Sequence, residues 1–254
     1  MNFTEFVSQK QVFTTQELLT VTGHNESSRV ALSRAVKTGK VEKVRSGLYV
    51  SRLGRYQGTQ ADPHRIAATL RPDAVFAFHS AIELHGLSHS VSNAVQFMTG
   101  TRLPDFTFKG TTYKSIPLRQ SALTQTIRAR AYGSVVATTR EQTLVDCLSK
   151  VSAAGGTEEV LRSFSSLPYA DIDAILLGLN DYPSSVASRV GWYLEANQER
   201  WSVSKDVLRA LEARIPSRVS YKLDPTLKSF ESYCARWKLN LPVDSETLRS
   251  WMEM

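Results

Sequence analysis

The sequence predicts an α+β protein: a winged helix-turn-helix at the N-terminus, then a larger α+β part with a helical end. Three observations carry this. Before residue 52, short helical stretches with capping signals lead into two alternating runs around a glycine. Between 94 and 138 lie four extended runs, and from 157 onward apolar residues recur at helical spacing almost without a break. Helices followed by strands and then helices again, rather than a regular strand–helix alternation, is an α+β pattern.

The elements follow in order. In "NFTEFVSQ", Phe3, Phe6 and Val7 share one helical face. "TTQELLTVTG" opens with Thr14 three residues before Glu17, the spacing of a capping box, and stops at Gly23. "NESSRVALSRAVKTG" starts at Asn25, puts Glu26 at the positive end of the helix and stops at Gly39. "VEKVRSGLYVS" alternates on either side of Arg45-Ser46-Gly47, which reads as a β-hairpin with Gly47 supplying a positive φ. The Gly-rich, polar and basic segment 52–63 reads as a linker, so the expected division is 1–58 and 59–254, with separable halves.

Beyond it, "DPHRIAATL" has Pro63 at an early helical position, and "FHSAIELHGL" is a short helix ending at Gly86. "AVQFMTG", "DFTFKG", "TTYKSIPL" and "IRARAYGSVVAT" are the extended runs. "TTREQTLVDCLSKV" opens with Thr138 and Glu141 as a second capping box. The remaining predicted helices are "TEEVLRSFSSL", "ADIDAILLGL", "SSVASRVGWYLEANQERW", "SKDVLRALEARI" and "SFESYCARWKL".

Charge is unevenly placed. The chain carries +7 overall. Residues 1–60 hold nine Lys or Arg against four Glu, and 102–130 hold Arg102, Lys109, Lys114, Arg119, Arg128 and Arg130 against Asp105 alone. The rest is slightly acidic. A basic stripe is the electrostatic footprint of a polyanionic partner. On a helical wheel of 26–38, Ala31, Leu32, Ala35 and Val36, with Ser28 between them, fill one arc. Ser27, Arg29, Ser33, Arg34 and Lys37 fill the opposite side, with the apolar Val30 among them. Arginines here can pair bidentately with guanine edges, and Val30 can touch a thymine methyl. Lys43 and Arg45 on the wing then become phosphate or minor-groove contacts. The expected DNA-binding set is Ser27, Arg29, Val30, Ser33, Arg34, Lys37, Lys43 and Arg45. The 102–130 stretch is expected as a second DNA contact, with a charge-defended sheet edge as the alternative.

Enzymatic classes fare poorly. No Asp or Glu stands two positions before any lysine, as the common restriction-type metal site requires. Gly39-Lys40 lacks the glycine five positions upstream that a P-loop needs. His79, Glu83, His85 and His89 are close in sequence, and on a helix His79 and Glu83 share a face, but His85 does not follow them at i+4; the usual two-ligand pair is missing, so buried or capping histidines are expected rather than metal ligands. No catalytic residue, metal or cofactor is expected. Cys147 and Cys234 are expected as reduced core thiols, and with neither a membrane-length apolar run nor a signal-peptide pattern the expected location is cytoplasmic.

The winged helix ending in "RSGLYV", the "FHSAIELHGL" of 78–87 and the "TTREQTLVDCL" of 138–148 together resemble the AbiEi family of antitoxins, regulators of bacterial abortive-infection toxin–antitoxin pairs, over about the first 150 residues. The resemblance implies a repressor that binds repeats in its own operon's promoter. It also implies a second part that neutralises a nucleotidyltransferase-type toxin, and a role in phage defence. It implies DNA contacts at Arg29, Arg34, Lys37, Lys43 and Arg45. Gly47 would form the wing turn and Tyr49 would pack beneath it, while Ser80, His85, Gly86 and Asp146 would be structural. The alternative is a stand-alone regulator of phage defence whose second part senses a ligand or a protein.

Overall fold

The computed structural model describes residues 1–23, 26–129 and 133–253. Helix α1 (Phe3–Gln9) starts where the Asn2 side chain accepts the Glu5 N–H at 2.9 Å. A short strand β1 (Val12–Thr14) leads into α2 (Thr15–Thr22), whose capping box is formed as expected: the Thr14 hydroxyl accepts the Glu17 N–H, and the Glu17 carboxylate accepts the Thr14 N–H. Helix α3 spans Glu26–Lys37; the expected start at Asn25 lies outside the described residues. Strands β2 (Val41–Arg45) and β3 (Leu48–Ser51) form the hairpin, with Gly47 at φ +80° in a two-residue turn. The three strands make an antiparallel sheet in the order β1-β3-β2.

This small sheet is buried on both faces. Phe13, Val41 and Tyr49 pack with Phe6, Val7, Leu18, Leu32 and Ala35 of the helices. Val12, Val44, Leu48 and Val50, of opposite parity, belong to a second core with Ile66, Ala67, Phe76, Phe97, Tyr113 and Val135. One sheet therefore walls both parts of the chain. Residues 52–63 are consequently no loose linker. Gly54–Tyr56 form a 3-10 turn, the buried Tyr56 donates its hydroxyl to the Gln9 carbonyl at 2.6 Å, and Arg52 reaches Glu42 at 2.9 Å. Gln11 donates to Thr59 at 3.2 Å. Gly and Arg there serve a tight, hydrogen-bonded corner, which composition alone reads as flexibility.

The second part is built on a mixed six-stranded sheet. Its strands are β4 (Val75–Phe76), β5 (Ala94–Thr99), β6 (Phe106–Phe108), β7 (Thr111–Pro117), β8 (Thr124–Ala129) and β9 (Gly133–Thr138), in the order β6-β7-β5-β4-β9-β8. β5 with β7 and β4 with β9 are parallel; the other neighbours are antiparallel. The single run expected over 127–138 is the β8–β9 hairpin, and its turn lies outside the described residues. Helix α4 (Pro63–Leu70), capped by Asp62, and α5 (His79–Leu84) add Ile66, Ala67 and Ala81 to the core shared with the winged helix. Helix α6 (Arg140–Ser149) begins one residue later than expected. Its cap is Thr139, which accepts the Gln142 N–H, because Thr138 is still in β9 with its buried hydroxyl 2.7 Å from that of Thr143.

Helices α7 (Thr157–Ser165), α8 (Ile172–Gly178), α9 (Ser184–Ala196) and α10 (Lys205–Ala213) follow as expected, packing with α6 around Leu144, Phe164, Ile175 and Tyr193. The end differs from expectation. No helix forms over 229–239; strands β10 (Tyr221–Lys222), β11 (Ser232–Cys234) and β12 (Leu239–Leu241) make a three-stranded sheet, and a final helix α11 (Ser245–Met252) starts at the Asp244 cap. The turn between β11 and β12 delivers the fully buried Trp237 onto α9 at Gly191, where a Cβ would sit 2.0 Å from the indole. Tertiary docking of one large side chain overrides the local helical pattern. Cys147 is buried, Cys234 is partly buried, and both are free thiols. Among the described residues, no helix is long and apolar enough to cross a membrane.

Candidate nucleic-acid interface

The face of α3 forms as its sequence predicts. Ser28, Leu32 and Ala35 are buried, while Ser27, Arg29, Val30, Ser33, Arg34 and Lys37 are exposed. Val30 keeps 42% of its surface open beside Arg29 and Arg34. The side chains of Arg29, Arg34 and Lys37 form no ion pair or hydrogen bond with other described residues, so three positive charges project together from one helix. Lys40, in the turn after α3, is also exposed and was missing from the expected set. Its signal in the sequence was its place beside Gly39, immediately after the basic helix.

On the wing, Lys43 is exposed, and its strand neighbour across the sheet is Tyr49. Tyr49 stacks on Phe13 with ring centroids 5.8 Å apart, which holds the hairpin against the helices. Arg45 goes elsewhere. The β2–β3 register shifts between Lys43 and Arg45, so the two residues do not share a face as simple alternation would have them. The Arg45 guanidinium lies over the Phe106 ring at 4.8 Å, with one terminal nitrogen buried and without a hydrogen bond. It faces the second part of the chain.

The basic stretch 102–130 is not one surface. Lys109 pairs with Glu42 of the wing at 2.8 Å. Arg119 pairs with the buried Asp146 at 2.7 Å and contacts the Tyr182 hydroxyl, which itself donates to Asp146. Asp146 also accepts from Gln142 at 2.9 Å, so it braces the β7–β8 and α8–α9 connections. Arg102, Lys114 and Arg128 are exposed, and Arg130 lies outside the described residues.

Two of the described histidines, His64 and His79, form a cluster with carboxylates that sequence proximity could not supply. His79, buried in α5, sits 3.3 Å from Glu83 through Nδ1 and 3.1 Å from Glu159 of α7 through Nε2. Glu83 in turn lies 3.4 Å from His64 Nε2, and His64 Nδ1 lies 3.5 Å from Asp62. Burial alone would push the His64 imidazole down. The Asp62 and Glu83 carboxylates outweigh it and lift the pKa to about 9. For Glu83 burial works upward, but His64, His79 and the Ser92 N–H hold it down at about 2. Glu159 also accepts from the Ser163 hydroxyl and the His89 N–H. Ser80 accepts the Gln96 N–H at 2.9 Å, and His85 Nε2 lies 2.8 Å from the Thr138 carbonyl. Among the described residues, no group of three His, Cys, Asp or Glu is placed to hold a metal ion.

A winged helix with an unpaired basic face is a DNA reader in many unrelated proteins, and the sequence match narrows it. Residues 3–52 match the family model described as "Transcriptional regulator, AbiEi antitoxin". This segment, about a fifth of the chain, is similar to the AbiEi antitoxin family. The match begins at α1 and ends just past the wing, so it takes in every residue of the exposed α3 face. For the whole chain, the fold resembles the crystal structure of the RV2827C protein from Mycobacterium tuberculosis, with a TM-score of 0.65 over 93% of this chain and 88% of that one. Identity is 17%, so the likeness is one of fold. Among curated protein sequences none matches. The AbiEi segment supports DNA-binding antitoxin regulation as the general role.

Proposed function

We propose that the chain is a self-regulating antitoxin that acts by recognition, without catalysis. The AbiEi segment binds repeated sites in double-stranded operator DNA and represses the toxin–antitoxin operon. The remainder, from about residue 59, neutralises a nucleotidyltransferase-type toxin in the cytoplasm during abortive infection by phage. The observation that carries this is the α3 face: Arg29, Arg34 and Lys37 unpaired around an exposed Val30, within the family-matched segment. Cations without protein partners release condensed counterions when they meet phosphate, so affinity should fall steeply with salt. Lys43 supports the backbone contacts, and Lys40 joins it. Arg45 does not belong to this face, because its charge is spent on Phe106.

The test compares variants of the full chain on promoter DNA and in cells carrying a promoter reporter and an inducible toxin. Replacing Arg29 or Arg34 by Ala should cost about 1–3 kcal/mol of binding and relax preference at one base position. Lys43→Ala should lower the salt slope by about one, whereas Arg45→Ala should leave that slope unchanged and lower the melting temperature. Changing Arg29, Arg34 and Lys37 together to Glu should abolish repression and leave toxin protection intact, since the buried Leu32 and Ala35 are untouched. Salt-indifferent binding would remove the DNA reading. A folded triple variant that no longer protects would remove the division of labour.

A further inference from the structure

A cleft of about 440 Å3 opens on the second part of the chain, away from the winged helix. Its floor is one face of the β5–β7 pair, where parallel register sets Gln96 beside Lys114 and Met98 beside Ile116. Lys150, Ser152 and Ala153, on the turn after α6, form the opposite wall, and Arg102 and Asp105 close it from the loop before β6. Arg102, Lys114 and Lys150 make no ion pair or side-chain hydrogen bond with other described residues. Three cations therefore face one carboxylate in a concave space, where a low-dielectric wall concentrates the field on an incoming anion. A volume of this size suits a small molecule. It does not suit a duplex, whose phosphates lie on convex ridges.

A second observation lies at the same place. Phe78, which lines the cleft, has φ +53° and ψ −135°, a conformation that side chains rarely adopt. The surroundings enforce it. The buried Gln96 accepts the His79 N–H at 3.2 Å and donates to the Ala153 carbonyl at 2.6 Å, tying the start of α5 to the opposite wall. Strain held by neighbours at the edge of a charged cleft marks a place where side-chain direction matters. Here it sets a half-buried aromatic ring against the small cluster of Val75, Ala77 and Met98 that Ile116 also joins, on the lining of the same cavity as the three cations.

We propose that this cleft binds a nucleoside phosphate: Arg102, Lys114 and Lys150 take the phosphate oxygens, and Phe78 offers its ring for stacking with the base. Asp105 leaves an acceptor for a sugar hydroxyl or an amino group, and it disfavours a bare polyanion. The site shares no residue with the DNA-reading face and stands independently of that function.

The test titrates the full chain at low salt with ATP, GTP, AMP, adenosine, inorganic phosphate, inorganic triphosphate and a short DNA duplex without operator sequence, by calorimetry. At least one of the three nucleotides should bind saturably with one site per chain, more tightly than its phosphate alone or the nucleoside. Arg102→Ala and Lys114→Ala, both exposed, should each weaken that binding about tenfold. Phe78→Leu should weaken it by about tenfold while leaving weak binding of inorganic triphosphate unchanged. Arg29→Ala should change nothing. The proposal is overturned by absence of saturable binding for all three nucleotides. It is overturned equally by inorganic triphosphate matching the nucleotides, by duplex binding that Lys114→Ala abolishes, or by nucleotide binding indifferent to Arg102 and Lys114.

Discussion

Leu48→Ala is a substitution in the wing that should be felt by tryptophans far away in the sequence. Leu48 is fully buried, and with Val12 and Val50 it forms the side of the small sheet that faces Ile66, Phe76, Phe97 and Tyr113. Truncating a fully buried leucine costs about 2–5 kcal/mol, the transfer of its methyl groups plus the cavity they leave. That is a large share of the roughly 5–15 kcal/mol by which a folded protein is stable. The assay is urea unfolding followed by far-ultraviolet circular dichroism and by tryptophan fluorescence. All four tryptophans, Trp192, Trp201, Trp237 and Trp251, lie beyond the winged helix, so fluorescence reports the second part alone. With a slope of about 2–3 kcal/mol per molar urea, both midpoints should fall together by roughly 1–2 M. If fluorescence keeps its wild-type midpoint while circular dichroism shifts, the wall is not shared and the two parts unfold independently. The same reasoning bears on a chain of residues 61–254. Val12, Leu48 and Val50 represent about 5–9 kcal/mol of aliphatic burial, of which roughly half belongs to the surface they leave bare, so this fragment should melt well below the full chain.

Two further outcomes follow from the geometry. Gly191→Ala would place a methyl group 2.0 Å from the Trp237 indole, so it should cost at least about 1–3 kcal/mol, read as a lowered melting temperature and a red-shifted tryptophan emission. The raised pKa of His64 contributes stability that is fully present below its ordinary value of 6.5 and is lost as the pH rises through about 9. Unfolding free energy should therefore decline between those values, and His64→Gln should flatten that decline; an unchanged slope in the variant would refute the assignment.

What the sequence made legible was local. Thr14 with Glu17 is a cap that four consecutive residues specify, and Gly47 marks a turn that its neighbours cannot form as easily. The α3 face was readable because helical periodicity sorts Leu32 and Ala35 from Arg29 and Arg34 without outside help. Failures came where distant parts decide. Arg45 is expected beside Lys43 as a wing contact to DNA, but a register shift between them, invisible in composition, turns it to Phe106. His64 and Glu159 complete a charge cluster around His79 from elements 15 and 80 residues away. The helix expected over 229–239 gave way to strands because Trp237 has its socket on α9. One missed feature was readable. Val12-Phe13 and Leu48-Tyr49-Val50 are apolar at both parities, the mark of strands covered on both faces. That mark argues against a free linker after the wing, whatever the glycines of 52–63 suggest.

The shared wall also determines what holds the exposed basic face of α3 in place. Among the described residues, the wing hairpin reaches the second part's sheet through Lys109 to Glu42 and Arg45 over Phe106, and Gln11, ahead of β1, adds hydrogen bonds with Thr59 and Arg65. The first is largely exposed, and such pairs contribute about 0–1 kcal/mol and are screened by salt. The second adds about 0.5–2 kcal/mol and carries an unsatisfied nitrogen against it. Burial of Val12, Leu48 and Val50 against the second part outweighs either contact taken alone, and salt does not screen it. Raising ionic strength should therefore release the protein from DNA without freeing the winged helix from its body. The orientation of α3 is set by apolar packing, so on the proposed reading two copies on repeated operator sites would be accommodated as whole molecules. The reach between adjacent sites is limited by the bulk of the second part, and slack in 52–63 cannot extend it.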